Sequence, residues 1–428
     1  PLYYDARYIA GPEGAHVMIT GKSGLAAKTS YALFLIFSFL QWARRNGKKV
    51  AVVAFNVKQC DLFQIEKILS LASWSDAEDL IKKYFAGRND VAKANIGLWR
   101  RIRQEFKLES PSDLIPKDNK GTPMLYYWTY NSDEDSCVED LPEDRVNVFS
   151  YGVKDLEPEE LEEILSGGDY NSLTDAQKVF VTTMARYIYE NAQSNITFQS
   201  LERNATEYLR NGVALRSDNL FATIQSQGKF DERTVMVIAR KVVNFIENNK
   251  NYGLNLVSAE GSPIKGDNIQ EGINIIQLNF PSKAMQRMVF NAVLRRLLKR
   301  QDEKETRFSN VLIFVDELNE FAPRREFSPI KSSIIDIAAR ARSRNVGLVG
   351  AQQFASLVDG QVYGNAATYV IGNTDDAELK NEEYRKFSDL RSLIPELSQG
   401  EVVIYQPASY SSPIKVRFPI PLHHLLVG

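Results

Sequence analysis

Cysteine is nearly absent. The chain of 428 residues holds two, Cys60 and Cys137. A disulfide-rich scaffold is therefore excluded, the pair has no metal-ligand spacing, and two thiols suit a reducing cytoplasm. An excess of one charge is also missing. Lys and Arg number 52 against 54 Asp and Glu, a net charge of −2. That excludes a uniformly basic nucleic-acid coat and leaves room for a local basic groove. Long apolar runs are missing too. The most apolar stretch, Tyr31 to Leu40, is followed by Gln41, Trp42, Arg44 and Arg45. A membrane span needs about 20 apolar residues, so this stretch reads as a buried core helix and no membrane contact is expected. There is no repeat of 20–50 residues, and no helix-turn-helix, zinc-finger or RRM signature.

What is present is an ordinary core-forming composition, 44% hydrophobic and 25% charged. The length suggests two or three domains at roughly 150 residues each. Ala15 to Thr20 reads as a short buried strand, followed by a Gly-rich turn and an apolar helix from Thr29 to Arg45 that stops at Asn46-Gly47. Lys49 to Phe55 is a second, Val-rich strand. This βαβ unit implies a parallel sheet. The same grammar returns late in the chain. Ile273–Leu278, Asn310–Val315, Gly347–Ala351, Thr368–Ile371 and Glu401–Tyr405 read as strands, with helices at Ala284–Lys299 and Ser332–Arg344. Such unbroken apolar strands belong to a sheet covered on both faces. Between Cys60 and Gly272 helical patterns dominate, with a loop or hairpin at Glu109–Pro142. The expected fold class is α/β, with a mostly parallel sheet and a large helical insertion. The core is split into 1–60 and 273–428, and the insertion covers 61–272.

Gly21-Lys22-Ser23-Gly24-Leu25-Ala26-Ala27-Lys28-Thr29-Ser30 joins the first strand to the first helix. A phosphate loop needs glycines that turn backbone N–H groups inward, a Lys for the β/γ-phosphates and a hydroxyl for Mg²⁺. The helix start adds its positive dipole end. Lys28 and Thr29 sit where that Lys and hydroxyl belong. The glycines depart from the usual spacing: Lys22 and Ala27 stand where glycines are expected, with Gly21 and Gly24 nearby. The competing reading is a plain strand–turn–helix with a capping hydroxyl.

A later apolar strand ends in Asp316-Glu317. Carboxylates at the C-terminal edge of a parallel sheet lie where ligands bind. Asp316 suits the Mg²⁺ shell and Glu317 the attacking water of a phosphoryl transfer. A capped loop after a strand reads the same way, but the Lys-Thr loop and the acidic strand end reinforce each other as one nucleotide site. Gly347–Ala351 runs into Gln352 and Gln353, amides suited to sensing a γ-phosphate. Arg340, Arg342 and Arg344 precede it. They either complete a neighbouring subunit's site or serve the helix end and surface ion pairs.

Taken together, these residues resemble the HerA/FtsK class of P-loop motor ATPases, and most closely HerA-like proteins. The resemblance lies in Gly21–Ser30, Phe55–Asp61, Ile275–Phe280, Leu312–Pro323, Ala339–Val358 and Ser398–Pro407. It covers both ends of the chain and leaves the helical middle largely unmatched. Ala27 is the departure, since the family usually carries Gly before the Lys. The resemblance implies a RecA-like core in a ring, usually a hexamer, around duplex DNA, with ATP and Mg²⁺ between subunits. By motif, Gly21, Ser23, Gly24, Ala27, Lys28, Thr29 and Ser30 hold the nucleotide. Thr29 and Asp316 hold the metal, and Glu317, Gln353 and Arg342 are the catalytic set. HerA-like proteins usually begin with a small β-barrel. With the first strand only fifteen residues in and Pro1 in place of Met, a β-rich domain is expected ahead of Pro1.

Two functions follow from the resemblance. One is an ATP-driven translocase on duplex DNA working with a co-encoded nuclease. The other is a nucleotide-regulated ring that assembles and switches an effector, a nuclease or NADase, as in bacterial antiphage systems. A conjugation or secretion motor of the same superfamily is a third reading, disfavoured by the lack of a membrane segment. Basic segments Arg100–Lys107, Arg295–Arg300 and Arg324–Arg325 are candidates for phosphate contacts without sequence readout. Solvated helix faces are the alternative.

Overall fold

Ten strands make one sheet in the computed structural model, which describes residues 5–11, 15–22, 28–130, 138–191, 196–212, 218–303 and 308–426. A one-turn α1 (Arg7–Ala10) leads to β1 (Val17–Thr20), α2 (Lys28–Arg45) and β2 (Val50–Asn56). Next come α3 (Trp74–Tyr84), α4 (Asn89–Phe106), β3 (Leu125–Thr129) and β4 (Val146–Val148). A helical stretch follows: α5 (Pro158–Leu165), α6 (Asp175–Glu190), α7 (Phe198–Asn211), α8 (Leu220–Gly228) and α9 (Glu232–Asn249). The chain then returns to the sheet through β5 (Gly272–Gln277), α10 (Lys283–Asp302), β6 (Asn310–Asp316), α11 (Lys331–Arg340) and β7 (Val346–Gln352). It closes with α12 (Gly360–Gly364), β8 (Thr368–Ile371), β9 (Glu401–Tyr405) and β10 (Ile414–Arg417).

The spatial order is β10-β9-β8-β1-β7-β6-β2-β5-β3-β4. Only β9 runs antiparallel to its neighbours, β8 and β10. Strands β1, β2, β5, β6, β7 and β8 are buried at every position, as two-sided cover demands. Side chains alternate between the two faces. Val17, Ile19, Val52, Ala54, Leu312, Phe314 and Val349 pack with Leu35, Ile36 and Leu40 of α2. Met18, Val53, Phe55, Ile313, Val315 and Leu348 share the other core with Met288, Val289 and Phe290 of α10. Helix starts in the middle of the chain use side-chain caps, such as the Ser73–Asp76 and Thr174–Gln177 capping boxes.

Several local expectations change. Residues 109–142 hold a short antiparallel turn, with Lys117 bridged to Pro123 and Asp118 N donating to Thr122 O at 2.9 Å, but they also supply a strand to the main sheet: β3 lies parallel to β5, and β4 follows parallel to β3. The aromatic strand LYYWT succeeds there because Tyr127 and Trp128 are buried on opposite faces. The segment 61–272 thus supplies two strands to the main sheet as well as most of the helices. Of the helical patterns that follow Cys60, the first is a 3-10 stretch, Phe63–Ser70. The one expected at Ser332–Arg344 ends at Arg340 and tightens into a 3-10 turn, Ala341–Arg344. Cys60 is disulfide-bonded, against the expectation of two reduced thiols, and Cys137 lies outside the described residues. No helix among the described residues is long and apolar enough to cross a membrane.

Helix α5 is fastened to α10 by buried charge. Glu160, with no exposed surface, accepts from Asn291 Nδ2 at 2.7 Å and pairs with Arg295 at 2.9 Å. Glu163, 1% exposed, pairs with Arg287 at 3.3 Å and accepts from Ser328 Oγ at 3.1 Å. Arg287 also donates through Nε to Glu320 O at 3.0 Å. Further along α10, Arg296 donates to Asp155 O and lies over the Tyr151 ring, and Arg300 pairs with Asp267. Three of the four basic residues in this segment therefore hold the protein's own structure together. Arg100 is likewise paired with Glu78, and Arg324 with Glu383.

His16 ties three elements together. Its Nδ1 accepts from Leu348 N at 3.1 Å, so Nε2 carries the proton and donates to Ala338 O at 2.9 Å. Burial pushes its pKa down to about 4, against the opposing pull of the Ala338 carbonyl.

Two predictions follow. Arg287→Ala strands Glu163 without its cation and is expected to cost about 3–5 kcal/mol of unfolding free energy in a denaturant titration. A loss below about 1 kcal/mol would mean the pair is not a clamp. The His16 imidazole takes up a proton more readily unfolded than folded. Its stabilisation is complete above pH 6.5 and is lost as the pH falls toward 4, amounting to about 3 kcal/mol. His16→Gln should remove that part of the pH dependence of unfolding.

Candidate active site

The phosphate-loop sequence leaves β1 at Thr20. Gly21 has φ 153°, and a Cβ there would stand 3.2 Å from Gly372 Cα. The close approach is fixed by Gly372 N donating to Thr20 O and Lys22 N donating to Asn373 O, each at 2.7 Å. Lys22 also pairs with Asp375 at 2.5 Å. Ser23, Gly24 and Ala27 lie outside the described residues. The chain re-enters view at Lys28, the first residue of α2, whose side chain is 5% exposed.

The parallel register brings the remaining groups to the same edge. β6 lies between β2 and β7, with Phe55 opposite Val315 and Asp316 opposite Ala351. Thr29 Oγ1 donates to Asp316 Oδ2 at 3.0 Å. Lys28 Nζ lies 3.5 Å from Glu317 Oε1. The residue that sequence reasoning missed is Lys58, just beyond β2. Its Nζ is 2.5 Å from Glu317 Oε1 and 3.4 Å from Asp316 Oδ2. Glu317 itself has φ 56°, a left-handed backbone uncommon for a non-glycine residue. Its N–H donates to Asp316 Oδ1 at 3.0 Å. Gly350 makes room for the turn after Glu317, since a Cβ there would meet Leu318 Cδ2 at 2.4 Å.

The electrostatics follow from this crowding. Burial acts to raise the Glu317 pKa, but Lys58 and Lys28 outweigh it and hold the carboxyl below its usual value. Burial acts to lower the Lys58 pKa, but Asp316 and Glu317 outweigh it and raise it. Asp61, on the same loop as Lys58, is pushed up by burial and by the Asp316 charge. The cluster pairs two ammonium groups with two carboxylates at a sheet edge.

No protein-family model matches the chain, and no curated protein matches it significantly. Solved structures do. The bacterial conjugative coupling protein TrwB lacking 70 N-terminal residues, in complex with sulphate, aligns with TM-score 0.52 and 10% identity over 96% of this chain and 86% of its own. TrwB with the ATP analogue ADPNP aligns with TM-score 0.51 and 9% identity over 95% and 86%. VirB4 of Thermoanaerobacter pseudethanolicus aligns with TM-score 0.50 and 10% identity over 95% and 89%. At such identity the likeness is one of fold. The fold is that of RecA-like P-loop NTPases.

In P-loop terms, Lys28, Thr29, Asp316 and Glu317 are brought together as the motifs anticipate. Gly21 opens the loop, and Ser30 is buried in α2 with Oγ unpartnered among the described residues. Gln353 is half-buried one residue past the end of β7. The strand-terminal amide is Gln352. It sits opposite Thr20, has no exposed surface, and finds no partner for Oε1 or Nε2 among the described residues. Burial and the lack of a described partner set Gln352 apart from Gln353, which sequence alone leaves ambiguous. Of the arginine row, Arg340 pairs with Asp336 and Arg344 with Asp302. Arg342 lies on the 3-10 turn after α11, and its side chain is outside the described set.

Gln352→Leu is expected to preserve or raise stability by about 1–3 kcal/mol in a denaturant titration, since it removes a buried amide that has no partner among the described residues. A marked destabilisation would mean that the amide has structural partners.

Proposed function

We propose that the protein is a ring-forming ATPase of the HerA/FtsK class that hydrolyses ATP at subunit interfaces. In this reading it moves on duplex DNA and works with a partner nuclease or other effector in bacterial antiphage defence. The observation that carries the ATPase reading is the meeting of Lys28, Thr29, Asp316 and Glu317 at the C-terminal edge of adjacent parallel strands. TrwB, which shares the fold, is described with both ADPNP and GDPNP.

In this reading Lys28 lies against the β/γ-phosphates, at the positive end of α2. The Thr29 hydroxyl and Asp316 carboxylate, 3.0 Å apart, form an oxygen pair that fits a hard cation. Mg²⁺ bound there would neutralise phosphate charge. Glu317 orients and deprotonates the attacking water, a role that requires it ionised, as its two lysines keep it. Gln352 or Gln353 senses the γ-phosphate. Arg342 reaches a neighbouring subunit's site in a hexameric ring, where it stabilises transition-state charge.

A second reading has an observation in its favour. Arg295, Arg296, Arg300 and Arg324 are tied to groups of the same chain, which thins the basic surface open to a nucleic acid. The ring would then be a nucleotide-regulated scaffold that assembles and activates an effector, a nuclease or NADase, with little translocation.

Lys28→Ala is expected to lose nucleotide binding, measured with a fluorescent ATP analogue. Unchanged binding would make the loop decorative. Glu317→Gln should bind nucleotide and lose turnover by at least about 10²-fold, and normal turnover would sink its assigned role. Duplex DNA should stimulate ATP hydrolysis. If it does not, and the ring fails to move on DNA, the translocase reading falls and the scaffold reading stands.

A further inference from the structure

Lys58 is used by none of the motif assignments, yet it makes the shortest contact to the acidic pair. Its ammonium is 2.5 Å from Glu317 Oε1, whereas Lys28 is 3.5 Å from the same oxygen. A surface ion pair would ordinarily carry little meaning. Three observations set this one apart. First, Lys58 touches both carboxylates of the acidic pair at once, reaching Asp316 Oδ2 at 3.4 Å. Second, its loop is pinned from below by Asn56, the last residue of β2, which is 1% exposed. Asn56 donates through Nδ2 to Gln59 O and accepts from Leu62 N at 3.0 Å through Oδ1. Its own carbonyl accepts from Leu278 N at 2.8 Å. The backbone carrying Lys58 is therefore fixed to β2 and to the end of β5. Third, the carboxylate it holds rises from a left-handed residue, φ 56°, a conformation with few ways of being reoriented by its own backbone.

We propose that Lys58 is a positioning residue for hydrolysis, fixing the Glu317 carboxylate from the neighbouring strand so that it meets the attacking water in a single orientation. This rests on the ATPase reading above. Its physical content is geometric. Lys28 belongs to the phosphates, so another group has to hold Glu317. β2 is the only strand next to β6 other than β7, and its C-terminal loop presents the ammonium. A displacement of about 1 Å at a reacting group costs about 10²-fold in rate.

The test compares Lys58→Met, Lys58→Arg and Glu317→Gln in the full chain. Steady-state ATP hydrolysis is measured alongside affinity for a fluorescent ATP analogue and thermal melting. Lys58→Met should lower kcat by roughly tenfold to a hundredfold while analogue affinity stays within about twofold. Lys58→Arg should recover most of the loss. Lys58→Met added to Glu317→Gln should cost nothing more, since both act through one carboxylate. Full kcat in Lys58→Met overturns the proposal. So does a tenfold loss of affinity with kcat unchanged, which would make Lys58 a phosphate contact. If Lys58→Met melts early, Lys58→Gln takes its place under the same criteria. A wild-type protein that binds and hydrolyses no ATP overturns the ATPase reading and this inference with it. A wild type that turns over beside fully active Lys58 variants overturns only the inference.

Discussion

The site depends on the parallel register of four strands, β1, β7, β6 and β2. Each ends at the same edge, and each end carries one piece of the chemistry: the start of the phosphate loop, Gln352, the Asp316–Glu317 pair, and the loop bearing Lys58. A slip of one residue in any pair would turn the polar ends toward the wrong face and bury the wrong side chains. Register is enforced by the cores on both sides, where every position of these strands is buried. Hydrophobic packing thereby sets the ångström-scale geometry between Thr29, Lys28 and the acidic pair.

Burial on both faces also explains what could be read directly from sequence. The seven expected strands are all present because an unbroken apolar run bounded by turn residues has few other solutions. Asp316 and Glu317 stood out because they end such a run, and Lys28 and Thr29 because they open the apolar helix that follows another. β3 and β4 were not legible. Their aromatic and polar mixture lies amid Pro, Gly and acidic residues, and their partners are supplied by tertiary structure. Lys58 escaped for a related reason. A lysine shortly after a strand is unremarkable until the register shows which strand lies beside it. Gln352 and Gln353 are chemically identical in sequence, and only burial separates them. The arginines of the Arg295–Arg300 segment were open to two readings, nucleic-acid contact or solvated face, and the structure adds a third. Glu160 of α5, which claims Arg295, lies more than a hundred positions away.

The buried pairs Glu160–Arg295 and Glu163–Arg287 join the helical stretch after β4 to the rest of the molecule, and they are selective fasteners. A hydrophobic contact would tolerate sliding of α5 along α10, whereas a buried carboxylate with two partners does not. Arg287 also holds the carbonyl of Glu320, three residues beyond Glu317. The turn that carries the acidic pair thus rests on a residue that is itself committed to α5.

The strand order has a consequence for how the protein is made. β1 comes before every other strand of this sheet in chain order, yet the strands that flank it, β7 and β8, follow roughly 330 residues later. At about 5–20 residues per second, the nascent β1 waits tens of seconds with both edges unpaired. Meanwhile β2, β5 and β6 can already assemble. Closure of β1 between β7 and β8 is then among the last steps, and it is the step that brings Lys28 and Thr29 to the acidic pair. This edge of the sheet is complete only once β7 and β8 have been added, so molecules that stop short of β8 leave β1 without a partner on one side and its polar end unsupported.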